Sequence, residues 1–303
     1  MSPDIPTPDS GLDLHVVRHI RATDPGAIGR AWAGRRPGTV PSDGRLLLIA
    51  ADHPARGAFG VRSDPYAMAT RPDLLARIAT ALSRPGVDGI LGTADILEDL
   101  LLTGHLDGKL VLGSMNRGGL QGAGFELDDR FTGYDAATIA ANGLDGGKML
   151  ARICLQDHGT IATLEGCAQA VSALAARSRW ALIEPFLTTR VGPDRVRNLL
   201  DADSVIASMQ IAAGLGATSA YTWLKLPVVE DMPRVLASTT LPTLLLGGDL
   251  SGQPEATYAA WGDALAAPAA RGLIVGRALL YPIDDDVAAA VDRAADLVHG
   301  GTS

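Results

Sequence analysis

Eight short apolar runs, at residues 46–51, 89–92, 109–114, 148–154, 180–185, 221–226, 243–247 and 273–276, restrict the fold of this chain more than any other feature. Each has strand length. Between them lie segments with the 3.6-residue period of helices, at 71–82, 96–101, 136–142, 160–176, 194–200, 204–215 and 231–236. The first run, Leu46-Leu-Leu-Ile-Ala-Ala51, is apolar at every position rather than at every second one. A strand reads this way when both its faces are buried, as in a parallel sheet covered by helices. Eight strand–helix units in about 250 residues fit an α/β, (β/α)8 TIM barrel, whereas a doubly wound sheet normally uses about five to seven strands. The barrel is expected as one domain over residues 41–303, with residues 1–40 as an N-terminal extension packed on it. That extension is Pro-rich at its start and carries a helical stretch at 24–32, opened by Asp24-Pro25. A last helix at 284–298 opens with Asp284, Asp285 and Asp286, which suit the positive end of its dipole.

Composition excludes several partners. A chain of 303 residues, 47% of them hydrophobic, can bury roughly three quarters of its unfolded surface, so its core needs no disulfide or metal support. Cys154 and Cys167 lie in apolar surroundings without CxxC spacing, and the first residues do not resemble a signal peptide; a cytoplasmic location is expected. The longest apolar runs last about six residues against the roughly 20 of a membrane helix. A net charge of −8, with 26 basic residues spread without blocks, argues against nucleic acid.

In a barrel the chemistry sits where the strands end. The side chains closing the runs are Asp52 and His53, Asp95, Asn116 and Arg117, Glu184, and the Gly247-Gly248 and Gly276-Arg277 pairs; the fourth and sixth runs carry Lys148 and Lys225. The chain has 23 arginines and only three lysines. A lysine inside Tyr221-Thr-Trp-Leu-Lys-Leu-Pro227 therefore stands out, because packing does not favour an ammonium there. A buried lysine with a lowered pKa can attack a ketone and form a Schiff base, which arginine cannot do. The alternative is that Lys225 snorkels past the mouth or pairs with a carboxylate. Lys148 either supplies a second positive charge beside Lys225 or begins its strand as an ion-paired residue. Lys109 follows a glycine in a turn and is given no role.

The glycine pairs at 247–248 and 276, with Arg277, match the place where barrels hold a phosphate on exposed backbone N–H groups, though tight turns alone would also explain them. Asn116, Arg117 and Ser251 are further donors within reach of a substrate. Asp52 and Glu184 are the proton-moving carboxylates; Glu184 is taken as the carrier and Asp52 as the orienting group. Of the six histidines only His53 closes a strand, which disfavours a zinc mechanism.

The segments Leu48-Ile-Ala-Ala-Asp-His53, Gly146-Gly-Lys-Met-Leu150, Ile183-Glu-Pro185, Leu224-Lys-Leu226, Leu246-Gly-Gly248 and Ile274-Val-Gly-Arg277, in order and about one per strand, resemble the class I aldolase superfamily of deoxyribose-phosphate, archaeal-type fructose-bisphosphate and tagatose-bisphosphate aldolases. The resemblance implies a Schiff base on Lys225, supporting roles for Lys148, Glu184 and Asp52, a substrate phosphate at Gly248 and Gly276-Arg277, and no metal or organic cofactor. The chain is most similar to an actinobacterial subgroup associated with myo-inositol breakdown. That similarity implies cleavage of 2-deoxy-5-keto-gluconate 6-phosphate to dihydroxyacetone phosphate and malonate semialdehyde, with Lys148 or Arg117 facing the carboxylate. The N-terminal extension and the Asn116-Arg-Gly-Gly-Leu-Gln-Gly-Ala-Gly124 loop do not match the sugar-bisphosphate members. The expected activity is therefore metal-independent retro-aldol cleavage of a phosphorylated keto-sugar or keto-sugar acid by a homo-oligomeric lyase. The competing readings on the same barrel are a sugar-phosphate isomerase or epimerase using Asp52 and Glu184, and a non-catalytic phosphosugar-binding protein.

Overall fold

The computed structural model describes residues 12–192, 195–247 and 254–300. Its strands are β1 (Leu46–Ala50), β2 (Gly89–Gly92), β3 (Leu110–Ser114), β4 (Gly146–Ile153), β5 (Trp180–Arg190), β6 (Val196–Asn198), β7 (Thr222–Pro227), β8 (Thr243–Leu246) and β9 (Ala270–Val275). Eight of them pair in parallel in the order β1-β2-β3-β4-β5-β7-β8-β9, and β9 pairs back onto β1. This closes a (β/α)8 barrel, as the eight apolar runs require.

The helices that cover the barrel include α3 (Arg71–Ser83), α4 (Ala94–Leu102), α5 (Ala136–Ala141), α6 (Gly159–Ala175), α7 (Ala202–Ala213), α8 (Met232–Ala237) and α11 (Val287–His299). The α11 helix starts three residues later than the expected 284: Asp286 is its N-cap, accepting from the Ala289 N–H at 2.9 Å. Two helices, α9 (Pro254–Leu265) and the single turn α10 (Arg277–Leu280), escape the sequence pattern. The stretch at 24–32 is part of a pair, α1 (Leu14–Thr23) and α2 (Gly26–Gly34), which Asp24-Pro25 separates. Trp32 of α2 is buried. Arg21 of α1 donates to Asp99 and Glu98 of α4 at 2.9 and 3.1 Å, and Arg35 donates to the carbonyls of Lys109 and Gly143, both at 2.8 Å.

One expected helix is a strand. Residues 196–198 pair antiparallel with Thr188–Arg190, because β5 runs on past the barrel rim and turns back as a hairpin. The β-branched residues Thr188, Thr189 and Val196 favour this extended pairing over a helix.

Side chains alternate between the barrel interior and the helix layer. Leu46, Leu48 and Ala50 of β1 point inward with Leu110, Leu112, Leu182, Leu244 and Ile274, and Trp180 and Trp223 pack against them with ring centroids 5.0 Å apart. Leu47 and Ile49 face the helices instead. The interior is thus an apolar floor, and the next inward positions up β1, β5 and β7 are Asp52, Glu184 and Lys225, with Lys148 of β4 among them.

A matched pair of stitches fixes the strands at the base. Asp88 precedes Gly89 of β2 and its carboxylate accepts the Leu47 N–H of β1 at 2.7 Å; Asp145 precedes Gly146 of β4 and accepts the Val111 N–H of β3, also at 2.7 Å. The carbonyls of the same two aspartates accept Leu110 N–H and Trp180 N–H, at 2.8 and 3.0 Å. The glycine that follows is needed, since a Cβ at 89 or 146 would strike the carbonyl oxygen of Leu110 or Trp180. At the closure, Gly272 of β9 sits at φ +127°, where a side chain would overlap the Leu46 carbonyl. Gly272→Ala is expected to cost about 2 kcal/mol or more through this clash and the positive φ. The measurement is the urea midpoint, which should fall with the m-value unchanged.

Candidate active site

The C-terminal ends of the strands open into a cavity of about 960 Å³. Among the described residues its wall carries eight arginine and lysine side chains against three carboxylates, in a chain whose net charge is −8. Positive charge has been concentrated at this one place.

Two buried ammonium groups and two buried carboxylates alternate at its centre. Lys148 Nζ lies 3.1 Å from Asp52 Oδ2 and 2.5 Å from Glu184 Oε2, and Lys225 Nζ lies 3.1 Å from Glu184 Oε1. Asp52 Oδ2 also accepts from Ser114 Oγ at 3.1 Å and pairs with Arg117 Nη2. The network follows from strand parity. Ser114 and Lys148 are register partners on β3 and β4, and Glu184 stands beside Leu150, one inward position above Lys148.

Burial lowers the pKa of both lysines. For Lys148 the Arg117 guanidinium adds to burial and the result lies well below the ordinary lysine value, with Glu184 opposing. For Lys225 burial comes first, Glu184 opposes it, and Arg117 and Arg277 push further down. Burial alone would raise the Glu184 carboxyl, but Lys148 and Lys225 hold it well below the usual carboxylate range. His53 lines the same wall; burial, then the charges of Arg277 and Lys225, keep its imidazole neutral at pH 7. Among the described residues no three His, Cys, Asp or Glu side chains gather as a metal-ligand set. No described helix is long and apolar enough to cross a membrane.

Most of the expected residues meet here. Asp52, Arg117, Lys148, Glu184, Lys225, Gly247, Gly276 and Arg277 all line the cavity. Arg277 donates to the Gly60 carbonyl at 3.5 Å and pairs with no carboxylate among the described residues. Gly276 is forced by packing, because a Cβ there would strike the Ala50 carbonyl and come within 2.9 Å of His53. Gly248 and Ser251 lie outside the described residues.

Asn116 does not belong to the cavity wall. It is fully buried, its Nδ2 donates to the Leu150 carbonyl at 2.6 Å and its Oδ1 accepts the Leu150 N–H at 2.7 Å. Both its polar atoms therefore serve to tie the end of β3 to β4, which corrects its reading as a substrate donor. Lys148 lies within β4, not at its start, and Lys109 is half-buried, donating to the Val87 carbonyl at 2.6 Å. Five charged residues of the cavity escape the sequence reading: Arg56, Glu126, Arg152, Arg195 and Arg197. Arg152 had a signal, since it stands two inward positions beyond Lys148 on the same strand.

The sequence matches the Cgl0159-like family model over residues 44–295. The chain belongs to the Cgl0159-like family. The crystal structure of Cgl0159 from Corynebacterium glutamicum is 54% identical, with a TM-score of 0.93 over 98% of this chain and 99% of that one. An archaeal fructose 1,6-bisphosphate aldolase superposes at a TM-score of 0.63 with 17% identity, over 90% of this chain and 100% of that one. A further archaeal fructose-1,6-bisphosphate aldolase, solved with its catalytic lysine bound to the carbinolamine intermediate, gives 0.62 and 16% over 89% and 99%. At such identities the likeness carries the fold, that of an aldolase-like TIM barrel. No curated protein matches the sequence.

Because Glu184 opposes the lowering of the Lys225 pKa, Glu184→Gln should lower it further. The pH midpoint for acylation of Lys225, followed by peptide mass mapping, is expected to move down.

Proposed function

We propose that this protein is a class I aldolase, a lyase that cleaves a phosphorylated keto-sugar or keto-sugar acid through a Schiff base on Lys225. The observation that carries the reading is a buried lysine at a barrel strand end, held 3.1 Å from a carboxylate that it shares with a second buried lysine. Desolvation and two arginines favour its neutral, nucleophilic form. Support comes also from the shared fold with an archaeal aldolase whose catalytic lysine was solved as a carbinolamine.

In the proposed cycle the Lys225 amine adds to the substrate ketone, and the carbinolamine loses water to give an iminium. The bond between the α-carbon and the hydroxyl-bearing carbon then breaks. Its electron pair moves to the iminium nitrogen as an enamine, the hydroxyl proton passes to Glu184, and the aldehyde leaves. The enamine is reprotonated at carbon, and water releases the ketone and restores the amine. Lys148, placed between both carboxylates, keeps Glu184 ionised and Asp52 in position. Arg277 faces the phosphate of the fragment retained on Lys225, beside Gly247 and Gly276. Of substrates in this class, 2-deoxy-5-keto-gluconate 6-phosphate is the one to assay first.

Lys148 is the competing nucleophile, also buried and also lowered in pKa. Lys225 is preferred because it answers to one carboxylate where Lys148 answers to two. Borohydride reduction in the presence of dihydroxyacetone phosphate should leave a secondary-amine adduct that peptide mapping places on Lys225. Lys225→Ala should lose at least about a thousand-fold in turnover with its circular dichroism spectrum intact. An adduct on Lys148 alone, or retained turnover in Lys225→Ala, would overturn the assignment. The initial rate should also rise with pH as the Lys225 amine deprotonates.

A further inference from the structure

The cavity has a second cationic wall that the cleavage chemistry leaves unused. Arg152 of β4 and Arg56, from the segment after β1, both converge on Glu126: Arg56 Nη2 lies 3.0 Å from Oε1, which Arg152 Nη1 also contacts. Glu126 Oε2 accepts the Gly122 N–H at 2.9 Å, and Arg152 Nη2 donates to the carbonyls of Gly119 and Glu126 at 3.2 and 2.6 Å. The loop between β3 and α5 is thereby folded around these two guanidiniums. Arg117, at the start of that loop, is 7% exposed. It meets Asp52 through Nη2 alone, while its Nε and Nη1 are buried without a hydrogen-bond partner, as are the Nε atoms of Arg56 and Arg152. A buried guanidinium with unmet donors is costly unless something anionic arrives to meet it. Glu126, the buried Asp129, whose Oδ2 lies 3.8 Å from Arg152 Nη2, and Asp52, which is shared with Lys148, face these three arginines and still leave those four donor atoms unmet.

Position in the ring says which end of a substrate this wall would meet. In the closed order β1-β2-β3-β4-β5-β7-β8-β9, β4 lies diametrically across from β9, so Arg152 and Arg277 occupy opposite sides of the mouth. Lys225, on β7, lies between them. On the same side as Arg152, the β5–β6 hairpin is tied to the loop by Arg190 Nη2, which donates to the Gly124 carbonyl at 2.9 Å, and it brings Arg195 and Arg197 to the cavity.

We infer that Arg117 and Arg152, braced by Arg56 and Glu126, form a second anion subsite, so that the substrate is anionic at both ends. The group it takes is a carboxylate or a phosphate. Its assignment to the fragment that leaves as the aldehyde rests on the Lys225 reading above, whereas the existence of the subsite does not.

The test uses linear six-carbon probes without a ketone, which cannot form an imine. Hexitol 6-phosphate carries one anionic end, 6-phosphogluconate carries a phosphate and a carboxylate, and hexitol 1,6-bisphosphate carries two phosphates. By calorimetric titration of the full-length protein, at least one of the doubly anionic probes should bind about 10- to 100-fold more tightly than the monophosphate. Whichever is tighter identifies the group as carboxylate or phosphate. In Arg117→Gln that advantage should shrink to about threefold or less. Equal affinity for all three probes in the wild-type protein, or no binding of any, overturns the subsite. A clear preference together with a failed borohydride trap would instead overturn the Schiff-base reading and leave the subsite standing.

Discussion

Two ammonium groups share a few ångströms of barrel interior, and charges so deep inside a protein are tolerated only when each is met by its opposite. Here the alternation Asp52–Lys148–Glu184–Lys225 meets that requirement across four strands. The apolar floor beneath keeps water from below, and the strand carbonyls and amides are consumed in the ladder. In such a medium an ionic contact is stronger than in water, and Asp52 gathers three donors, from Ser114, Arg117 and Lys148. Removing Glu184 would leave Lys225 without its carboxylate, whereas each of the other three leaves its neighbours a second partner, so Glu184 is the member on which the chain of charges turns. The reactivity assigned to Lys225 and the integrity of the upper barrel share a cause.

Much of this was legible in the sequence. Continuous apolar runs announce parallel strands, and the scarcity of lysine singles out Lys148 and Lys225. What the sequence concealed was chiefly what depends on partners distant along the chain. Asn116 reads as a polar residue at a strand end, and only the fold reveals that its amide is spent on the Leu150 backbone. Glu126 lies amid a glycine-rich loop with no periodicity, and becomes meaningful only when Arg56 and Arg152 arrive from two other strands' ends. The β6 hairpin was misread as helical because residues around 196–198 carry no alternation long enough to declare a strand.

A (β/α)8 scaffold says little about chemistry on its own, since loops at the strand ends are exchanged freely among barrels. The likeness to archaeal aldolases is one of scaffold, and the β3–α5 loop of this Cgl0159-like chain is a structured body with its own ionic centre. A loop pinned by buried arginines is rigid at the cost of adaptability. It favours a narrow choice of ligand held in one pose over a wide choice held loosely.

The paired aspartate–glycine stitches at the barrel's foot work at the end farthest from the cavity. Because neighbouring residues on a strand face opposite sides, a slip of one residue between β3 and β4 would carry Lys148 out among the helices and turn Met149 inward. Asp88 and Asp145 are thus alignment pins for β1 to β5: the height and facing of Asp52, Lys148 and Glu184 are set from the foundation.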